Sequence, residues 1–208
     1  MSKFVQRAVA IAALSTLAIA AQAAELSNGL HFVLNAGITG GGDTLATVNY
    51  VGGSSQNIKA GNLFQLGGGV LWHASTMPLE TQITLNYHID DTSATNGSVK
   101  FERVPLEVAA FYTGVQKWRF GGGVRYVTAP KYTSQINGGA NETVDFKNSI
   151  GALVEAGYGF TPHAWLNVRY VAEKYQPKTY TRNGVATDVS GTRSFSGNHV
   201  GINFLYAF

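Results

Sequence analysis

The chain has 208 residues, with 25 glycines, 12% aromatic residues, no cysteine and a formal charge of +3. A disulfide-stapled fold is excluded, and beyond the N-terminal leader no apolar run approaches the ~20 residues of a membrane-spanning helix. Two of the 15 basic residues, Lys3 and Arg7, fall in that leader, leaving 13 against 12 acidic residues and no basic surface of the kind nucleic acid requires.

The leader carries its charges first, then the uncharged run Ala8 to Ala20, then the small-x-small tripeptide Ala21-Gln22-Ala23. This order predicts a signal peptide over residues 1–23, cleavage before Ala24, and one exported domain over 24–208. Within that domain, apolar and polar residues alternate with the period of two that marks strands. The first run sets Leu30, Phe32, Leu34, Ala36 and Ile38 on one face. The second sets Phe64, Leu66, Gly68, Val70 and Trp72 there. Between them, Thr44 to Val51 and Gln56 to Lys59 read as an extended hairpin. A two-residue turn at Gly52-Gly53 would put the two apolar faces on opposite sides, so one residue must be absorbed at Gly40-Gly41-Gly42.

The third run sets Leu79, Ile83, Leu85, Tyr87 and Ile89 against Glu80, Gln82, Thr84, Asn86, His88 and Asp90. The fourth sets Val104, Leu106, Val108, Ala110 and Tyr112 against Arg103, Pro105, Glu107 and Phe111. Asn96-Gly97 lies between them and reads as their two-residue turn, which places Leu85 opposite Val108, Tyr87 opposite Leu106 and Asp90 opposite Arg103. The fifth run alternates Trp118, Phe120, Gly122, Val124 and Tyr126 with Arg119 and Arg125. The sixth alternates Ile150, Ala152, Val154, Ala156, Tyr158 and Phe160 with Glu155 and Gly157. The seventh has Leu166, Val168 and Tyr170 opposed to Asn167, Arg169 and Glu173. In the eighth, Val200, Ile202, Phe204, Tyr206 and Phe208 share a face, and the sequence ends on that aromatic. Short connections (His73 to Pro78, Thr113 to Lys117, Thr161 to Ala164) alternate with long ones (Gly40 to Ala60, Asp91 to Lys100, Thr128 to Asp145, Lys174 to Phe195). The pattern predicts an all-β, eight-stranded antiparallel up-and-down transmembrane barrel.

A soluble barrel would bury the apolar face. Here that face carries no charge on any run and ends in aromatics: Trp72, Tyr112, Trp118, Phe160 and Phe208 toward the short turns, Tyr87, Tyr126 and Tyr170 toward the long loops. Such girdles belong at bilayer interfaces, and so many rings do not fit inside eight strands. With its leader and its alternating aromatic ending at Phe204, Tyr206 and Phe208, the chain resembles the small bacterial outer-membrane β-barrel proteins of the OmpX, OmpW and OmpA-barrel type. The resemblance implies an outer-membrane location, contact with lipid and lipopolysaccharide, a terminal signal read by the barrel assembly machinery at Phe204, Tyr206 and Phe208, and a monomer. No peptidoglycan-binding domain is expected after the barrel.

Pairing Tyr112 with Trp118 sets Glu107 diagonal to Arg125, and pairing Phe160 with Leu166 sets Arg169 diagonal to Glu155. With Asp90 and Arg103, these charges are expected to fill the lumen as a paired network, so that the barrel is plugged. Other chemistry is thin. His73-Ala74-Ser75 with Glu80 has the His-x-Ser spacing of outer-membrane lipid A deacylases, yet it falls in a short turn and reads as a capped turn. His88 and Asp90 read as register-fixing polar groups. His31, His163 and His199 are scattered, and no metal or cofactor is expected. Gly67-Gly68-Gly69 and Gly121-Gly122-Gly123 lie inside strands, so they make room rather than cradle phosphate. Lys131, Lys147, Lys174, Lys178, Arg182 and Arg193, interleaved with Tyr132, Tyr175 and Tyr180, are loop residues suited to a solvated surface or to lipopolysaccharide phosphates. A non-enzymatic envelope or surface protein is the expected role. The alternatives are a passage for small apolar molecules, with Phe111, Val127, Val171 and Leu205 lining it, and a lipid A-modifying hydrolase.

Overall fold

The structure is a computed structural model that describes residues 26–49 and 53–208; the leader and its cleavage site lie outside them. The strands are β1 (Gly29–Gly41), β2 (Thr44–Asn49), β3 (Ser55–Lys59), β4 (Leu63–His73), β5 (Leu79–Ala94), β6 (Gly97–Val115), β7 (Trp118–Ile136), β8 (Glu142–Phe146), β9 (Ser149–Thr161), β10 (Ala164–Ala172), β11 (Lys174–Tyr175), β12 (Pro177–Arg182), β13 (Val185–Asp188), β14 (Phe195–Ser196) and β15 (His199–Ala207). β1, β4, β5, β6, β7, β9, β10 and β15 pair antiparallel in that order, and β15 closes on β1. The result is an eight-stranded closed barrel, so its wall has no unpaired edge.

The period of two decides which side of the wall each residue faces. Leu30, Phe32, Val124, Ile150 and Val168 point outward and are more than half exposed, whereas Asn35, Glu107, Arg125 and Asn167 point inward and are at most 3% exposed. An apolar exterior around a charged interior is the inverse of a water-soluble barrel. Both aromatic girdles face outward, with Trp72, Tyr112, Trp118, Phe160 and Phe208 at one end and Tyr87, Tyr126 and Tyr170 at the other. Tyr206 departs from its row: it is 8% exposed, covered by the His163 and Phe208 rings.

Register departs from the sequence reading in four places. The β5–β6 turn is Thr95-Asn96, so His88, not Asp90, lies opposite Arg103, and Leu85 lies opposite Leu106. Gly97 is the first residue of β6 and serves a close approach instead: a Cβ there would sit 2.3 Å from the Gln135 carbonyl of β7. Tyr112 pairs with Phe120 rather than Trp118, and Leu166 with Tyr158 rather than Phe160. Each of these three shifts is two residues, which preserves the faces. In the first hairpin, Val48 pairs with Gln56 and Asn49 with Ser55, not the even-to-odd pairing of a turn at Gly52-Gly53, and a bulge lies between Thr44 and Ala46. The bulge expected at Gly40 to Gly42 is not found there: Gly40 and Gly41 stay in register with β15, the chain turns out of β1 at Gly42, and Phe64 faces Ile38 with the apolar faces aligned.

The long connections are more ordered than expected. β7 runs on to Ile136, absorbing Pro130 through a bulge at Ala129, whose φ is 48°. Its outer part pairs with β8, β8 with β12 and β12 with β13, so a blade stands above the barrel mouth.

Candidate functional site: the ion-paired lumen

Arginine and glutamate on neighbouring strands meet across the lumen because their side chains are long and the wall is narrow. Glu107 of β6 is directly opposite Arg125 of β7, and Arg169 of β10 directly opposite Glu155 of β9. From these two rungs a chain of contacts runs along the barrel. At the short-turn end, Glu80 lies 3.5 Å from Arg119, and Arg119 lies 3.0 Å from Glu155. Glu155 lies 3.0 Å from Arg169, and Arg169 lies 2.9 Å from Glu107. Glu107 lies 2.7 Å from Arg125, and Arg125 lies 3.0 Å from Glu173 at the loop end. All seven residues are buried, and acid alternates with base throughout.

The neighbours hold this ladder in place. Arg119 lies between the Phe111 and Trp165 rings, at 4.3 and 5.3 Å, and donates to Asn167 Oδ1 at 3.0 Å. Arg125 also donates to Gln65 Oε1 at 3.2 Å. Glu173 accepts from the Tyr175 hydroxyl at 2.6 Å. Glycine makes the space: at Gly157 a Cβ would stand 3.0 Å from Arg119 Cγ, and at Gly123 it would stand 2.1 Å from the Val108 carbonyl.

Of the residues singled out in the sequence, Glu107, Arg125, Glu155 and Arg169 are thus brought together. Asp90 and Arg103 are not joined to them by an ion pair, nor, among the described residues, to each other. Asp90 accepts the Lys59 N–H at 2.7 Å, while Arg103 lies over Phe101 and contacts His88 Nε2 at 3.0 Å. Sequence reasoning placed Arg119, Glu80 and Glu173 on inner faces but left them out of the network, because Glu80 and Glu173 reach arginines on strands that are not their neighbours in the wall, which pairing adjacent strands does not show.

His73 Nδ1 lies 3.2 Å from Glu80 Oε1, but Glu80 is part of the ladder and Ser75 is exposed in the turn. His31 contacts the Phe208 and Ser27 carbonyls, His163 the Ala207 carbonyl, and His88 packs edge-on to His199. Among the described residues no group of three or more His, Asp or Glu side chains is arranged to hold a metal. The inward apolar residues do not line one passage. Leu205 packs with Val33, Leu71 and Trp165 at the short-turn end, Phe111 and Val171 with Ala109 and Leu153, and Val127 with Phe101, Phe146 and Tyr175 near the mouth. Above the mouth, Leu45, Tyr132, Val144, Phe146, Tyr180, Phe195 and their neighbours line an open apolar cup of about 280 Å³. Of the loop cations, Lys131 lies 3.7 Å from Asp145, Arg182 3.6 Å from Glu142 and Arg193 4.0 Å from Asp43; Lys147, Lys174 and Lys178 are exposed, and Tyr175 is buried. On the terminal strand, Phe204 stacks on Phe160, and the Phe208 N–H donates to the Phe32 carbonyl at 2.9 Å.

The architecture is that of a small outer-membrane β-barrel. No protein-family model matches the sequence, and no curated protein matches it. Among solved structures it is similar to Neisserial surface protein A, at 12% identity over 87% of this chain and 98% of that one, with a TM-score of 0.49. It is also similar to the outer membrane protein OprG of Pseudomonas aeruginosa, at 13% identity, 88% and 98% coverage and a TM-score of 0.48. A third similar structure is the outer membrane protein AlkL, at 17% identity, 90% and 94% coverage and a TM-score of 0.44. Likenesses at this level leave the fold to be read from the strand pairing above.

Proposed function

We propose that this chain is a non-enzymatic, monomeric protein of the bacterial outer membrane whose lumen is held shut by its own charges, with an envelope or surface role. On this reading it is exported through a leader cleaved before Ala24, and its terminal Phe204, Tyr206 and Phe208 are read by the barrel assembly machinery. Its outer face meets lipid, and its loop cations meet lipopolysaccharide. The observation that carries the reading is the unbroken acid–base ladder from Glu80 to Glu173, which occupies the space an aqueous pore would need. Purified protein in planar bilayers is expected to show no steady porin-sized conductance; such a conductance from the wild-type monomer would refute the plug. An altered lipid A acyl pattern on expression would refute the non-enzymatic role.

The apolar cup above the mouth favours a second reading, capture of small apolar molecules. Saturable binding of a naphthalene-class fluorophore, lost in Phe195→Asp, is its expected signature. Binding unaffected by that substitution would remove it.

A further inference from the structure

The limbs of the first hairpin are not part of the barrel wall: β2 and β3 pair only with each other. The inner limb, Ser55 to Asn62, turns in over the mouth. Ile58 and Ala60 are fully buried there against Val99, Phe101, Val127, Phe146 and Tyr175. The chain leaves β1 through Gly41 and Gly42, at φ 143° and 77°, and re-enters the wall through Leu63 at φ 76°, a left-handed conformation uncommon for leucine. A Cβ at Gly42 would stand 2.4 Å from the Gly61 nitrogen, so only glycine lets the two limbs cross so closely.

Hydrogen bonds fasten the inner limb to β5, among them one from the Asn62 side chain to Asp90. The Lys59 N–H donates to Asp90 Oδ2 at 2.7 Å, and the Thr92 hydroxyl to Gln56 Oε1 at 2.9 Å. The fastening at Asp90 is unusual in what it leaves undone. Asp90 Oδ1 has no hydrogen-bond partner, and neither do Nε and Nη1 of Arg103, although both residues are fully buried. Asp90 lies opposite Phe101 and Arg103 opposite His88, so the two are diagonal neighbours on one inner face. Diagonal backbones are ~7 to 8 Å apart, within reach of an aspartate and an arginine. A buried carboxylate and a buried guanidinium, each under-satisfied and each in reach of the other, stay unpaired while the Lys59 N–H and the Asn62 side chain of the inner limb engage the carboxylate.

We propose that Asp90 is a latch with two sets of partners. With the limb down it accepts from Lys59 and Asn62. With the limb raised it pairs with Arg103, so the ion pair offsets the lost contact and the apolar surface around Phe101, Phe146 and Tyr175 opens toward the cup. The two states differ by the exchanged partners of one carboxylate, which is how a small change can shift a two-state element.

The chain contains no cysteine, so a single Val99→Cys beneath the limb reports opening through its rate of reaction with a bulky, membrane-impermeant maleimide. Asp90→Asn keeps an acceptor for the Lys59 N–H but removes the alternative ion pair, and should slow labelling by about fivefold, the scale set by one hydrogen bond. Arg103→Met should slow it likewise. Lys59→Pro removes the N–H without touching the lumen and should speed it, which keeps the test alive if a lumen variant fails to fold. Heat-modifiable migration on gels confirms folding in each case. An Asp90 that merely anchors the limb predicts instead that Asp90→Asn labels as fast as wild type or faster and that Arg103→Met changes nothing. That result, or unchanged labelling in Lys59→Pro, overturns the latch.

Discussion

Removing Arg125 is the sharpest test of the ladder, because its two carboxylates are left in different states. In Arg125→Met the aliphatic stem is kept and the guanidinium lost. Glu107 still has Arg169 at 2.9 Å, whereas Glu173 loses its ion-pair partner and keeps the Tyr175 hydroxyl, the His199 ring and the longer-range charge of Arg103. Stranding one charge of a buried pair costs about 3 to 5 kcal/mol, and here one carboxylate, not two, is stranded. The cost should therefore be largely recovered by adding Glu173→Gln, which removes the stranded charge and leaves the rest of the ladder intact. Arg169→Met offers the contrast, since Glu107 keeps Arg125 and Glu155 keeps Arg119. Urea unfolding of protein in lipid vesicles, followed by the fluorescence of Trp72, Trp118 and Trp165, gives the free energies of these variants and, with the Glu173→Gln single variant added, the coupling between Arg125 and Glu173. A loss below about 1 kcal/mol in Arg125→Met, or a double variant no more stable than the single one, would refute the reasoning.

Cysteines at Ser93 and Ser98, which lie opposite each other, should form a disulfide, whereas Ser93 with Lys100 should not; the reverse on a non-reducing gel would restore the turn to Asn96-Gly97. Gly69→Ala should impair assembly, since its Cβ would fall 1.9 Å from the Ile83 carbonyl; Gly40→Ala, with Asn62 Oδ1 at 3.9 Å, should be tolerated, as yields of folded protein would report. The Ser190 N–H, donating at 2.8 Å, and its hydroxyl hold the Asp188 carboxyl below its usual range. The folded value is the depressed one, so the contact is complete at neutral pH and lost as pH falls through that value. The Ser190 amide proton resonance should hold steady above the ordinary carboxylate range and move below it, and Asp188→Asn should flatten the curve. Deleting Phe208 should lower outer-membrane yield, and normal insertion of the truncated chain would count against a terminal assembly signal.

What the sequence makes legible here is parity. Alternation assigns each of Glu80, Glu107, Arg119, Arg125, Glu155 and Arg169 to the inner face, because a side chain's face depends only on counting by two along its own strand. Register depends on the turns, and the turns mislead. Asn96-Gly97 has the composition of a tight turn, but its glycine is claimed by the close approach of β7. The connection expected over Thr128 to Asp145 contains Pro130, but a bulge at Ala129 absorbs that proline and the strand continues to Ile136. The inward fold of Ile58 and Ala60 had no local signal at all, since what buries them is Phe101, Phe146 and Tyr175, far along the chain.

A two-residue slip spares the class of protein and changes the site. Because the wall repeats every two residues, any even shift leaves Leu, Ile and Val on the outer face and Glu and Arg facing the lumen, so the charged interior survives the error. What changes is which charges touch. The diagonal pairs expected from the sequence become facing pairs, Glu107 with Arg125 and Glu155 with Arg169, and the freed reach of each arginine goes to a further carboxylate: Glu173 for Arg125, Glu107 for Arg169. Two separate pairs thereby become one ladder. The glycines of β7 and β9 complete the fit, since Gly157 lies where the stem of Arg119 passes and Gly121 where the Phe111 ring lies. On the proposed reading the ladder fills the lumen and the glycines leave it room, so a longer side chain at Gly157 should displace Arg119 from Glu155 rather than widen the wall.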